Sequence, residues 1–228
     1  MTESDWVAVG DWVVTQLGFW RLRGIVRWPR HRAFRVDGRR PVAQRNSEKG
    51  VTAVDKRQSN LDFRLMSLSY RLRDWFRPRM DILREAGIKP GVRVLDYGCG
   101  PGSYVVDTAG LAGEAGRVYA LDVHPLAIQM VEDLASRNRL TNVETIRSDR
   151  ETGLPDSSVD VVLLYDVLHD LSEPDGVLQE LHRVLKPGGL LSFSDHHMKE
   201  EEIVSRVTRG GLFELWRKGE RTFTFVRQ

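Results

Sequence analysis

Cysteine is nearly absent from this 228-residue chain, where Cys99 stands alone. A single thiol excludes an intrachain disulfide and any metal cluster built on several cysteines, and it fits a reducing compartment. The chain also lacks any run of roughly 18 uncharged apolar residues, the length that a membrane-spanning helix needs. Its opening residues, MTESDWVAVGDW, carry neither a basic stretch nor a small-residue cleavage site, so no secretory signal is expected. These absences predict a cytoplasmic protein. With 41% hydrophobic and 29% charged residues the composition is that of a globular chain, long enough for one α/β domain and an extension but short for two full domains.

The net charge of +2 conceals a division. Residues 1–90 hold 19 Lys/Arg against 10 Asp/Glu, and residues 91–228 hold 15 against 22. A basic leader favours anionic partners such as a phospholipid surface or a nucleic acid. Trp6, Trp12, Trp20 and Trp28 lie in this leader, and residues 20–45 contain nine arginines against the single acid Asp37. Trp with Arg suits a membrane interface, which makes peripheral membrane contact a candidate role, and it also suits stacking on nucleic acid. Gly10, Gly18, Gly24 and Pro29 interrupt any long helix, so a docked or partly disordered extension is expected. Residues 1–58 are therefore read as a basic extension and linker. Residues 59–90, with Phe63, Met66, Tyr70 and Trp75 at helical intervals and Pro78 as a breaker, are read as a helical lid, in which Tyr70 and Arg71 can reach a substrate. Residues 91–228 form the main domain.

From residue 91 the pattern alternates between short apolar strands and amphipathic helices. VRVLDYG (92–98), RVYALD (117–122) and VETIRSD (143–149) are predicted strands; SYVVDTAGLAG and PLAIQMVEDLASRNRL between them are predicted helices, with Pro125 in a first turn. VDVVLLYD (159–166) is apolar almost throughout, as a central parallel strand covered on both faces requires. EPDGVLQELHRVLKPGG reads as a helix ended by Pro187-Gly188-Gly189, LLSFSD (190–195) as a strand, and GLFELWRKGERTFTFV as a hairpin around Lys218-Gly219. The predicted fold class is α/β: a doubly wound, mostly parallel seven-stranded sheet with a C-terminal antiparallel hairpin and an N-terminal helical lid or extension. Asp96, Asp122, Asp149, Asp166 and Asp195 then fall at strand ends, along the rim where such sheets bind ligands.

The loop VLDYGCGPGSY (94–104) places Gly98, Gly100 and Gly102 at every second position directly after a strand. A dinucleotide loop wants G-x-G-x-x-G; here Ser103 stands where the third glycine belongs. Asp96 also lies two residues before the first glycine, where it would repel phosphates. A ligand bearing a cation removes that conflict.

Asp96-Tyr97-Gly98-Cys99-Gly100-Pro101-Gly102 resembles the first motif of class I S-adenosylmethionine-dependent methyltransferases, and the resemblance extends over roughly residues 80–228. It implies the cofactor S-adenosyl-L-methionine. It further implies that Asp122, with Val123 beside it, binds the ribose, and that Asp149 and the backbone amide of Arg150 meet the adenine. Gly98, Gly100, Gly102, Asp96 and Tyr165 complete the cofactor-binding set. The order VDVVLLYDVLHDL, ELHRVLKPGG, LLSFSD is similar to the family's fourth strand, next helix and fifth strand.

Methyl transfer requires alignment of a nucleophile, and a hydroxyl or protonated amine also requires a base. Tyr165-Asp166-x-x-His169 and Asp195-His196-His197 supply candidates, since imidazole titrates near neutrality. On a helical turn Asp166 would orient His169; on an extended chain His196 and His197 would point to opposite faces, leaving one toward the pocket. His169 in a plain loop and His182 as a packed or solvated side chain are the bland alternatives. Asp166, His169, His196 and His197 lack a metal-ligand spacing signature, and no metal is expected. The leading reading is methylation of a small-molecule or lipophilic acceptor. Alternatives are a protein or RNA acceptor and a non-catalytic S-adenosylmethionine-binding sensor or subunit. A protein or RNA acceptor is disfavoured because the chain carries no recognised RNA-binding motif and its fourth strand ends in LYDV and not in an Asn-Pro-Pro-Tyr-type amide or amine methylation signature, so nucleic acid is not the expected partner; an arsenite acceptor would need more thiols than Cys99.

Overall fold

Successive strands with apolar residues on both faces require a sheet covered twice, and the computed structural model, which describes residues 45–46 and 79–228, has that form. The expectations for the Trp/Arg leader, and for Phe63, Met66, Tyr70, Arg71 and Trp75, lie outside the described residues. The elements in chain order are β1 (Arg45–Asn46), α1 (Arg79–Glu85), β2 (Arg93–Tyr97), α2 (Val105–Ala112), β3 (Arg117–Asp122), α3 (Pro125–Arg137), β4 (Val143–Arg147), β5 (Val159–Tyr165), α4 (Pro174–Val184), β6 (Leu185–Ser194), α5 (Glu200–Thr208), β7 (Phe213–Lys218) and β8 (Phe223–Arg227). Among the described residues these strands form one sheet in the order β1-β4-β3-β2-β5-β6-β8-β7. Strands β1 to β6 pair in parallel, and β8 runs antiparallel to both β6 and β7. The seven strands read from sequence are thus present, joined at the edge by the two-residue β1. No helix among the described residues is long and apolar enough to cross a membrane.

Alternate residues of β2 serve the two faces. Val94 packs with Leu83 of α1 and with Val161 and Leu163 of β5. Leu95 and Tyr97, one residue out of phase, join a larger core with Leu181 of α4, Ile203 of α5, and Phe193 and Phe225 of the antiparallel end. On the first face, Val118 and Ala120 of β3 meet Val105 and Ala109 of α2 and Val131 of α3. Period-two patterning on buried strands thus produces a three-layer arrangement. The hairpin turn is tied to α1 by Glu85, whose carboxylate accepts from the amides of Glu220, Arg221 and Thr222 and from the Thr222 hydroxyl at 2.7 Å.

One boundary and one helix differ from the sequence expectation. Helix α4 does not run to Pro187-Gly188-Gly189: it stops at Val184, and Leu185 is already extended. Pro187 disfavours a helical Lys186 before it, so Lys186–Gly189 form an irregularity inside β6, where Val159 pairs with Leu185 but Val161 with Leu190. Helix α5, between the parallel sheet and the hairpin, was not expected. Its signal is short: Glu200, Glu201 and Glu202 in the first turn and Ile203 and Val207 four residues apart.

Candidate functional site

The order of the sheet reverses at β2, which lies between β3 and β5, so the loops after β2 and β5 open beside each other at the carboxyl edge. The loop after β2 bends through Gly98, Gly100 and Gly102 at φ 77°, 51° and 84°. The three glycines have different reasons. A Cβ at Gly98 would overlap the Val167 side chain, and one at Gly102 would lie 2.8 Å from Leu134 Cδ1 of α3; at Gly100 nothing stands within 4 Å. Gly98 and Gly102 therefore serve packing, while Gly100 leaves its backbone open to an incoming ligand. Gly98→Ala is expected to cost about 2–4 kcal/mol in thermal unfolding, from overlap and left-handed strain together. Gly100→Ala should cost only about 1 kcal/mol and show its main effect as ligand affinity reduced about tenfold or more.

Asp96, next to last in β2, is a buried carboxylate, 3% exposed, and among the described residues its Oδ2 has no hydrogen-bond partner. Burial, with the negative charge of Asp122 adding to it, raises its pKa to about 7. A buried polar atom left without a partner costs free energy unless a ligand supplies one. Asp122 ends β3 and is held differently: Oδ2 accepts from the Gly100 amide at 2.9 Å and Oδ1 from the His124 amide at 2.8 Å. Burial raises its pKa, opposed by the amides of His124, Gly100 and Val123. Each oxygen keeps a second lone pair for a ligand.

The loop after β4 is tied to β2 by Tyr97, whose hydroxyl lies 3.3 Å from the Asp149 carbonyl and 3.4 Å from that of Arg150. The sequence reading did not single out Tyr97. The Arg150 amide, expected to face the ligand, donates to Ser148 Oγ at 3.3 Å, and its guanidinium pairs with Glu173 at 3.0 Å. Tyr165 sits in the core with its hydroxyl 2.8 Å from Ser192 Oγ and its ring edge-on to Tyr104.

At the ends of β5 and β6 the expected pairing is corrected. Asp166 does not orient His169. It adopts φ 55°, and the chain then enters a 3-10 turn, Leu168–Asp170, so the helical spacing that would align the two never forms. The partners cross instead: His169 Nδ1 lies 2.8 Å from Asp195 Oδ2, and His196 Nδ1 lies 2.6 Å from Asp166 Oδ1. The acid at each strand end thus holds the imidazole that follows the other strand. His196 and His197 lie on a turn, so the alternation expected of an extended chain does not apply. The His197 ring lies 4.3 Å from that of His169. Val167, which blocks any side chain at Gly98, brings this turn against the glycine loop. His182 lies apart, bonded to the Gln228 carbonyl at 2.9 Å with its ring edge-on to Phe213.

A family model described as a methyltransferase domain matches residues 88–221. The demethylmenaquinone methyltransferase of Geobacillus stearothermophilus is 32% identical over 113 residues, which are 49% of this chain and 48% of that protein. The ubiquinone/menaquinone biosynthesis C-methyltransferase UbiE of Shewanella oneidensis is 27% identical over 137 residues, 59% of this chain and 53% of that one. The chain spans about half the length of these curated relatives. Among solved structures, a SAM-dependent methyltransferase from Aquifex aeolicus is similar with a TM-score of 0.57 at 30% identity, covering 65% of this chain and 87% of that chain.

Proposed function

The chain belongs to the methyltransferase domain family, and on that footing we propose that it transfers a methyl group from S-adenosylmethionine to a small lipophilic acceptor whose reacting atom must lose a proton. The observation that carries this reading is the buried Asp96 carboxylate, whose Oδ2 lacks a partner among the described residues, on the same loop as an open Gly100. The residues fit the cofactor. Asp96 offers an acceptor to its ammonium group, Asp122 and Val123 border the place of a ribose, and the loop of Asp149 and Arg150 borders that of the adenine. Gly98 and Gly102 shape the loop that Gly100 leaves open, and Tyr165 supports the site from the core. When bound, the cofactor's sulfonium supplies a methyl carbon that already carries its leaving group.

What the chain must add is alignment, exclusion of water and removal of a proton. His169, backed by Asp195 and lying against the glycine loop through Val167, takes the acceptor's proton. His196, held by Asp166, and His197 border the acceptor. A protein with this function needs a lipophilic acceptor to reach it from a membrane, and the Trp/Arg leader suits peripheral contact there; its place is the cytoplasm. Nucleic acid is not the partner of this reading.

The acceptor class rests on the names of the relatives and on the paired imidazoles, and it is tested directly. The protein is incubated with S-adenosylmethionine and a short-chain hydroquinone of the demethylmenaquinone type, and S-adenosylhomocysteine is quantified with the methylated ring. Equal amounts of both products are expected. Product from simple phenols or fatty acids, with none from the hydroquinone, would replace the quinone acceptor and keep the reaction.

A further inference from the structure

We infer that Asp195 is the positioning residue of the base: it holds His169 in the tautomer that carries its proton on Nδ1 and so leaves Nε2 to receive the acceptor's proton. This rests on the methyl-transfer reading and deepens it, assigning the tautomer that the Asp195 contact imposes on the base. The Asp195 side chain has no exposed surface, although it is a carboxylate at the end of a strand. Its hydrogen bonds explain how it is accommodated. Oδ2 accepts from His169 Nδ1 at 2.8 Å and from the His169 amide at 3.4 Å, and Oδ1 accepts from the His197 amide at 3.0 Å.

Donors from two different turns converge on this one group, so it acts as an acceptor, and the ring nitrogen facing it must present a hydrogen. The second ring nitrogen is fixed by the same bond. Nε2 lies 3.4 Å from Asp170 Oδ2, a side chain that is 73% exposed and offers no donor. When the acceptor's proton reaches Nε2, the imidazolium stands between two carboxylates, and the His197 ring covers one side of it. The proton passes from acceptor to Nε2 and then to water once the product has left, while Asp195 keeps its bond to Nδ1. The Asp166–His196 pair has the same chemistry, but the His196 side chain is 43% exposed, so that ring is less constrained.

The test reads the tautomer directly. Full-length protein labelled with ¹⁵N-histidine is examined by NMR at pH 8 without ligands, with His169 assigned from His169→Gln. The expected result is a His169 ring protonated on Nδ1 in the wild type and a shift toward Nε2 protonation in Asp195→Asn. A kcat lowered about 10²-fold or more, with KM for S-adenosylmethionine unchanged, should accompany the shift. Protonation on Nε2 in the wild type overturns the inference, and so does an Asp195→Asn protein that keeps both the Nδ1 tautomer and its kcat. If the variant does not fold, the wild-type spectrum still decides. An Nδ1 tautomer in a protein that transfers no methyl would retain the positioning role and remove the reaction it was assigned to.

Discussion

Replacing Asp96 by Asn is expected to weaken S-adenosylmethionine binding about 30-fold or more at pH 8, the loss that follows when one partner of a buried charge pair is removed, and at the same pH to stabilise the ligand-free protein. The two effects have one origin. Burial, with Asp122 adding to it, raises the folded-state pKa of Asp96 to about 7. Between pH ~4 and ~7 the folded chain therefore keeps a proton that the unfolded chain has released, and stability falls as pH rises through that window. A displacement of about three units corresponds to at most ~4 kcal/mol, and Asn, which cannot ionise, recovers part of it. Calorimetric titration and thermal denaturation at pH 5 and pH 8 separate the contributions. The stability advantage of Asp96→Asn should grow from pH 5 to pH 8. Wild-type affinity should rise about tenfold between pH 6 and pH 8 as the carboxylate ionises, with proton release on binding. An affinity that Asp96→Asn leaves intact, or one flat with pH, removes Asp96 from the cofactor site.

The second large effect belongs to His169. His169→Ala should lower kcat by about 10²- to 10⁴-fold, the usual contribution of a positioned base, with S-adenosylmethionine affinity within twofold of wild type, because the proposed role of the ring is toward the acceptor and not the cofactor. His196→Ala should cost less than about tenfold, since its more exposed ring is less preorganised. Steady-state rates with the hydroquinone acceptor, alongside cofactor titrations, test both. Equal losses in the two variants would move the base to His196 or make the two pairs share the role.

The parts of the molecule that could be read from sequence are those governed by short-range rules. Short apolar runs marked the parallel strands because burial on both faces leaves few other residues acceptable, and the glycine loop was legible because positive φ restricts residue type. Helix α5 was missed because its apolar stripe is only Ile203, Val204 and Val207, too short to stand out from a charged segment. The end of α4 was misjudged because Pro-Gly-Gly ends helices and also shapes strand irregularities, and only pairing with β5 distinguishes them. The crossed carboxylate–imidazole pairs could not be read at all: Asp166 and His169 are neighbours in sequence, whereas His169 and Asp195 meet only because β5 and β6 are adjacent. A local rule favours the near partner; tertiary geometry selects the far one.

The central claim, that this chain binds S-adenosylmethionine at the β2–β5 switch point and transfers its methyl group, is tested most directly by following radiolabelled methyl from the cofactor into a host-cell lysate. The lysate is then divided into lipid, small-molecule, protein and RNA fractions, with Asp96→Asn and His169→Ala run in parallel. The expected result is label in the lipid or small-molecule fraction, matched by S-adenosylhomocysteine and lost in both variants. Cofactor bound by the wild type with no label in any fraction and no S-adenosylhomocysteine formed would contradict the account and leave a protein that binds the cofactor without using it.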